Sequence, residues 1–388
     1  MMIETLFLLL PVAVISGWIV GRRSNSRKGS RCSDIPLDYL KGLNLLLDEQ
    51  PDKAIDLFIQ MLEVNNDTVE THLALGSLFR RRGEVDRAIR IHQNLIARPT
   101  LLPEQRAHAL FELGQDYMKA GLFDRAETLF GELVESNPHS EQALNYLLDI
   151  FQQEKDWNNA IKIAQRIGVK SGKDLSPLIS HFYCEQGEIA YRQGEPARAM
   201  KLFKKALATN KMCVRASLLE GQIEHESGNE NAAIRALKRI EQQDADFLPE
   251  VIGPLLHCYE GLGKPEEMLL YLREILTRHD AISIMLVLAD LLQHYQNDET
   301  AEIFIQEFLH HRPSLRGMDR LIDINIKHAK ESVKEKLRIL KSVTGQLLED
   351  KPVYSCHICG FNGKTLHWQC PGCKRWDTVK PIQGVEGE

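Results

Sequence analysis

Residues 107–138 read AHALFELGQDYMKAGLFDRAETLFGELVESNP, and they hold the architecture in miniature. The stretch has no strand-like alternation, and Ala-Gly-Leu around Gly121 marks a turn between two helical runs. Gly114 in the first run is followed twelve residues later by Ala126, and Phe130 comes four positions after that. Two antiparallel helices joined by a tight turn approach closely only where both carry small side chains, and Gly114 and Ala126 are expected to meet there. Phe130 then fills the adjoining hole. One such pair cannot bury its own apolar face, so units of this kind must stack.

The same spacing runs outward in both directions. Gly42 and Ala54, Gly76 and Ala88, Gly187 and Ala199, and Gly221 and Ala233 repeat it, while Ala160 and Ala301 fill the second-helix position opposite Leu148 and Ala289. Phe58, Phe203 and Leu237 take the place of Phe130, and Gly83 and Gly194 mark further turns. These residues, with Pro138 and Pro313 near unit ends, resemble the tetratricopeptide repeat family. The resemblance implies eight units starting near Ile35, Val69, Ala107, Glu141, Ser180, Val214, Glu250 and Ile282, then terminal helices to about Asp350. The inserts RPTLLPEQR and VKSGKDLSP delay the third and fifth units, and the seventh and eighth depart most from the pattern. First helices of such arrays line a groove that holds a peptide or a partner's helix. In this register Arg80, Arg81, Asn145, Gln152, Tyr191 and Arg192 project into that groove or, equally, form solvated helix faces.

Composition narrows the function. Of 388 residues 43% are hydrophobic and 26% charged, so the chain folds. A net charge of −6 gives no reason to expect nucleic-acid binding, which needs a basic excess. No phosphate-binding loop, Gly-x-Gly-x-x-Gly after a strand, His-Glu-x-x-His or nucleophile elbow interrupts the repeats, which argues against an enzyme.

Ile3 to Val20 is almost wholly apolar, with Pro11 inside and Trp18 near its end. As a helix of 18 residues it would span roughly 27 Å, near the lower limit for a bilayer core. Arg22, Arg23, Arg27, Lys28 and Arg31 all follow the run and none precedes it, the reverse of a cleaved signal peptide. The expectation is a single transmembrane anchor over 1–20, a basic tether over 21–34, and the bulk of the chain on the cytoplasmic side. The tether also suits anionic headgroups.

Eight cysteines divide into two sets. Cys32, Cys184, Cys213 and Cys258 are scattered and read as small buried hydrophobes. Cys356, Cys359, Cys370 and Cys373 form two Cys-x-x-Cys pairs in YSCHICGFNGKTLHWQCPGCKRW, residues 354–376. Four thiolates in this pattern converge on one ion with tetrahedral geometry; His357 and His367 are alternative ligands. The segment is too small to fold on its own core, so the metal is expected to stabilise it, helped by docking on the repeats. Its motifs, flanked by Trp368 and Trp376, look like a rubredoxin-type knuckle, which holds iron in electron carriers and often zinc in structural versions.

The complete reading is an all-α tetratricopeptide solenoid over 35–350, an N-terminal membrane helix, a rubredoxin-like or zinc-ribbon knuckle over 351–380, and a tail over 381–388. That combination resembles the lipopolysaccharide assembly protein B family of Gram-negative bacteria. The resemblance implies a non-catalytic inner-membrane adaptor that restrains lipopolysaccharide synthesis. Its implied partners are a membrane-bound AAA+ zinc protease, the lipid A pathway deacetylase that this protease degrades, and other lipopolysaccharide assembly proteins. Two alternatives stay open: an iron redox sensor or electron carrier, and a general envelope-assembly scaffold.

Overall fold

A computed structural model describes residues 69–99, 101–136, 140–349, 351–385 and 387–388, with isolated positions between 40 and 57. The expected anchor, the tether, Cys32, most of the first repeat and Pro138 lie outside the described residues. Among the described residues no helix is long and apolar enough to cross a membrane. The chain forms two compact units, Met1–Ser140 and Glu141–Glu388.

The first unit contains two described helix pairs. They are α1 (Val69–Arg82) with α2 (Val85–Ile96), and α3 (Pro103–Ala120) with α4 (Phe123–Ser136). In the second unit α5 (Ser140–Gln153) pairs with α6 (Trp157–Ser171), α7 (Ser176–Arg192) with α8 (Pro196–Thr209), and α9 (Val214–Glu226) with α10 (Glu230–Lys238). A one-turn helix Ile240–Gln243 and a 3-10 turn Ala245–Phe247 lead into α11 (Leu248–Gly261) and α12 (Pro265–Leu276). Then come α13 (Ile282–Tyr295) with α14 (Asp298–His311), and α15 (Leu315–His328) with α16 (Glu331–Glu349). The expected terminal helices are thus one more hairpin of the same kind. The two inserts do not remain loops. Pro103 and Pro177 sit in the first turns of α3 and α7, where a missing N–H costs nothing, and each insert is partly absorbed as extra helix.

The packing of the four described pairs with a first-helix glycine twelve residues before the alanine differs from expectation in one respect. Ala88, Ala126, Ala160, Ala199, Ala233 and Ala301 are all fully buried, as the spacing requires. What lies against the glycine, however, is the large residue four positions later. A Cβ added at Gly114 would stand 2.7 Å from the Phe130 ring, one at Gly187 only 2.2 Å from Phe203, and one at Gly221 2.8 Å from Leu237. The glycine is a seat for a ring or a branched side chain in its partner helix. At Gly76 the seat is taken by an imidazole, His92, whose added-Cβ distance is 2.3 Å. His92 is fully buried, and its Nδ1 lies 2.5 Å from Asp116 Oδ2. Asp116 Oδ1 in turn accepts from Arg80 Nη1 at 2.8 Å. A buried charge needs such partners.

At the turns the chain uses backbone chirality. Gly121 has φ +74°, and the Leu122 amide donates to the Tyr117 carbonyl at 2.9 Å, closing the end of α3.

Gly114→Ala should therefore destabilise the first unit by about 1–3 kcal/mol, because the Phe130 ring cannot retreat from a packed pair. Gly131→Ala, on α4 with nothing within 4 Å of an added Cβ, should stabilise it by about 0.5–1 kcal/mol. Urea melts of the two full-length variants check the contrast. Equal midpoints would remove the ring-on-glycine account.

Candidate metal centre and its docking surface

The knuckle is a three-stranded antiparallel sheet in the order β2-β1-β3, with β1 Tyr354–Cys356, β2 Asn362–Gly363 and β3 Val379–Pro381. Tyr354 pairs with Gly363 on one side and with Pro381 on the other. Each Cys-x-x-Cys folds into the same turn. The Gly360 amide donates to the Cys356 carbonyl at 3.0 Å, and the Lys374 amide to the Cys370 carbonyl at 2.9 Å. The residue after each second cysteine is left-handed, Gly360 at φ +73° and Lys374 at +59°.

These turns bring the four thiols together. All four Sγ atoms lie within 4.8 Å of one another, with Cys356 to Cys373 at 3.8 Å and Cys359 to Cys370 at 3.5 Å. A tetrahedral ion with metal–sulfur bonds near 2.3 Å sets sulfur–sulfur edges of roughly 3.8 Å, so the four residues fit one ion. His367 turns away to Thr365 Oγ1 at 3.3 Å and to the edge of the Phe361 ring, and neither it nor His357 joins the sulfur cluster. Burial would push the Cys356 thiol up, but the Thr378 hydroxyl at 3.3 Å and the Cys359 and Ile358 amides outweigh it and bring it to about 6. Cys359, against its neighbouring thiols, is pushed up to about 11 despite the Phe361 amide. Four thiolates this close need a cation to ionise together. The apolar core holding them is small: Tyr354, Cys356, Cys370 and Val379, with Phe361 and Leu366 alongside. The donor set suits either zinc or iron.

The knuckle is seated on the first helices of the second unit, not suspended from them. Trp376 enters an aromatic nest, stacked on His181 at 5.2 Å and edge-on to Trp157 and Phe182 at 6.2 and 5.9 Å. Its Nε1 donates to Gln152 Oε1 at 2.9 Å, and the Arg215 guanidinium lies 5.8 Å from its ring. Trp368 stacks on Phe247 at 5.4 Å. Around these rings, Lys380 bridges Asp244 and Asp246 at 2.6 and 2.8 Å, and the Tyr354 hydroxyl donates to Glu250. The tail continues the contact: the Glu388 carboxylate accepts from the Ser283 amide at 2.9 Å and pairs with Arg316.

Burial, with the Arg215 charge beside it, pushes His181 from its ordinary 6.5 down to about 3, so the ring under Trp376 is neutral. Arg215 is itself held by Glu185 and Glu188 at 2.7 and 2.5 Å.

Of the six residues expected in the groove, the structure brings only Gln152 to the knuckle. Arg80 is half-buried against Glu112 and Asp116 at 2.7 and 2.8 Å, and Arg81 is exposed at the end of α1. Asn145 is exposed and donates to the Glu141 carbonyl at 3.0 Å, whereas Tyr191 packs back on the Cys184 and Phe203 cluster. Arg192 is exposed, its Nε 3.3 Å from the Glu188 carbonyl. Trp157, His181, Phe182, Arg215 and Phe247 were not singled out by sequence. The available signal was Trp368 and Trp376, two large rings in a segment with too little apolar surface of its own to cover them.

Comparison with known proteins bears on the whole chain. Residues 354–381 match the rubredoxin metal binding domain family, and 71–106, 111–171 and 184–246 match tetratricopeptide repeat families. Lipopolysaccharide assembly protein B of Escherichia coli K12 is 41% identical over 389 residues, with all of both chains covered. The chain belongs to the lipopolysaccharide assembly protein B family. The Haemophilus influenzae member is 36% identical over 399 residues, covering 99% of this chain and all of its own. Among solved structures a crystal structure of MamA protein is 21% identical, covers 47% of this chain and 96% of its own, and has a TM-score of 0.32.

Two outcomes follow for this family member. Cys356→Ser with Cys359→Ser should lower the metal content by one ion per chain while the helical circular dichroism is retained, and tryptophan fluorescence should shift red as Trp376 leaves its nest. Unchanged fluorescence with the ion gone would mean that docking does not need the metal. The second outcome concerns pH. His181 is neutral when folded and charges near 6.5 when unfolded, so between about 6.5 and 3 the unfolded chain binds the extra proton. Stability should therefore fall on acidification through that window, by up to about 1.4 kcal/mol per pH unit. His181→Phe should flatten that slope in melts from pH 7 to 5.

Proposed function

We propose that the protein is a non-catalytic, membrane-anchored adaptor in lipopolysaccharide assembly. In this reading it limits lipopolysaccharide synthesis by presenting the lipid A pathway deacetylase to the membrane-bound AAA+ protease. Full-length similarity to two proteins named for lipopolysaccharide assembly supports the pathway. The observation that carries the adaptor reading is the seating of Trp376 among Gln152, Trp157, His181 and Phe182. It joins a metal knuckle and a repeat array, each a binding element by itself, into one joint surface.

The apolar run Ile3–Val20 followed by five basic residues supports the anchor, with the repeats on the cytoplasmic side of the inner membrane. Confinement to the membrane plane would raise the effective concentration of the adaptor near a membrane protease. An anchor contributes proximity in this scheme and leaves recognition to the repeats and the knuckle.

Cells producing Trp376→Ala at native levels should accumulate the deacetylase, with the variant's metal content and helicity unchanged. Normal deacetylase turnover in that strain would overturn the role given to the joint surface. A strain lacking residues 1–20 should regulate weakly from a soluble chain, and full regulation there would show that confinement is dispensable.

A further inference from the structure

A second group of metal-ligating side chains stands apart from the knuckle, at the junction of α9, α10 and α11. His225 is in the last turn of α9, Glu230 opens α10, and Cys258 comes from α11. Gly228, at φ +75°, turns the chain between α9 and α10 so that His225 and Glu230 face each other. Cys258 is fully buried at the floor, while the His225 side chain is 40% exposed and that of Glu230 15%. One Nδ1, one carboxylate oxygen and one Sγ lie within 4.8 Å of one another.

The distances are those of a site awaiting small adjustment. Bonds near 2.05 Å to nitrogen and 2.3 Å to sulfur set a tetrahedral nitrogen–sulfur edge of roughly 3.6 Å. Cys258 Sγ lies 3.6 Å from His225 Nδ1. The nitrogen–oxygen edge should be roughly 3.3 Å; here His225 Nδ1 and Glu230 Oε2 are hydrogen-bonded at 2.7 Å, so the carboxylate has to back away slightly. The opposing helix leaves room for the carboxylate. A Cβ at Gly261, one turn beyond Cys258, would stand 3.2 Å from Glu230 Oε1, so glycine there clears the space beside the thiol.

We propose that His225, Glu230 and Cys258 form a second metal site, for a thiophilic divalent cation of the zinc type. A thiolate and an imidazole disfavour magnesium and calcium, which take oxygen donors. Thiolate, carboxylate and neutral imidazole around a divalent cation sum to no net charge, which keeps a half-buried site inexpensive to desolvate. Three protein ligands leave a fourth position on the exposed side of His225, open to water or to a ligand atom from a partner. The site clamps the α9–α10 hairpin to the next pair.

The test uses the full-length protein, purified in detergent with the knuckle loaded, and excess zinc followed by removal of free ion. Two zinc ions per chain are expected, falling to one in His225→Gln and in Cys258→Ser. Glu230→Gln, which keeps shape and size, should weaken retention of the second ion without altering the melting curve of the metal-free protein. With Cys356, Cys359, Cys370 and Cys373 all changed to Ser, added cobalt(II) should give a thiolate-to-cobalt absorption band that disappears with Cys258→Ser. One zinc per chain in the wild type under excess zinc would overturn the proposal, leaving the three residues a hydrogen-bonded cluster. A cobalt band that survives Cys258→Ser would overturn it as well.

Discussion

Three of the described helix pairs rest on one contact, a large side chain of a second helix seated on the bare Cα of a first-helix glycine. Phe130 on Gly114, Phe203 on Gly187 and Leu237 on Gly221 all make it. The contact sets how closely two helices approach, and that distance decides whether the next pair finds a matching surface. The buried alanines let the backbones come near, and the ring takes up the volume that the glycine vacates. Apolar burial then accumulates from pair to pair, since no single hairpin encloses a core. Where His92 replaces the ring, the pair needs Asp116 and Arg80 to accommodate a polar side chain in the same seat.

The knuckle meets the same shortage of core by different means. Its apolar residues are too few, and two of the four buried residues in its core cluster are ligand cysteines. An ion would hold the sulfurs from within, while the repeats cover Trp368 and Trp376 from without. The two supports adjoin in the chain, since the second turn supplies Cys370 and Cys373 and leads directly to Trp376. Displacement of those sulfurs should therefore shift the indole from Gln152 and His181.

The helix pairs were legible because their signal is local. Small residues twelve apart, with a large one four further on, state the packing of a hairpin without reference to the rest of the chain. The four sulfurs were legible for the same reason. What the glycine touches was not, since spacing alone does not distinguish Ala126 from Phe130 as the residue above Gly114. The docking surface was hidden for a different reason. Trp157 at the start of a second helix and His181 and Arg215 on first helices look like ordinary positions, and only the return of a segment some 200 residues later gives them a shared purpose. Gln152 was singled out as a groove residue, although its observed partner is Trp376 of the same chain.

That return has a temporal side. Gln152 and Trp376 are 224 residues apart. At a synthesis rate of 5–20 residues per second, roughly ten to forty seconds separate the appearance of the nest from that of the ring that fills it. Helix pairs stacking next to their neighbours complete themselves as they emerge, but the nest of Trp157, His181 and Phe182 cannot. For that interval a newly made chain carries an open aromatic hollow, and a folding helper or a competing segment has first access to it.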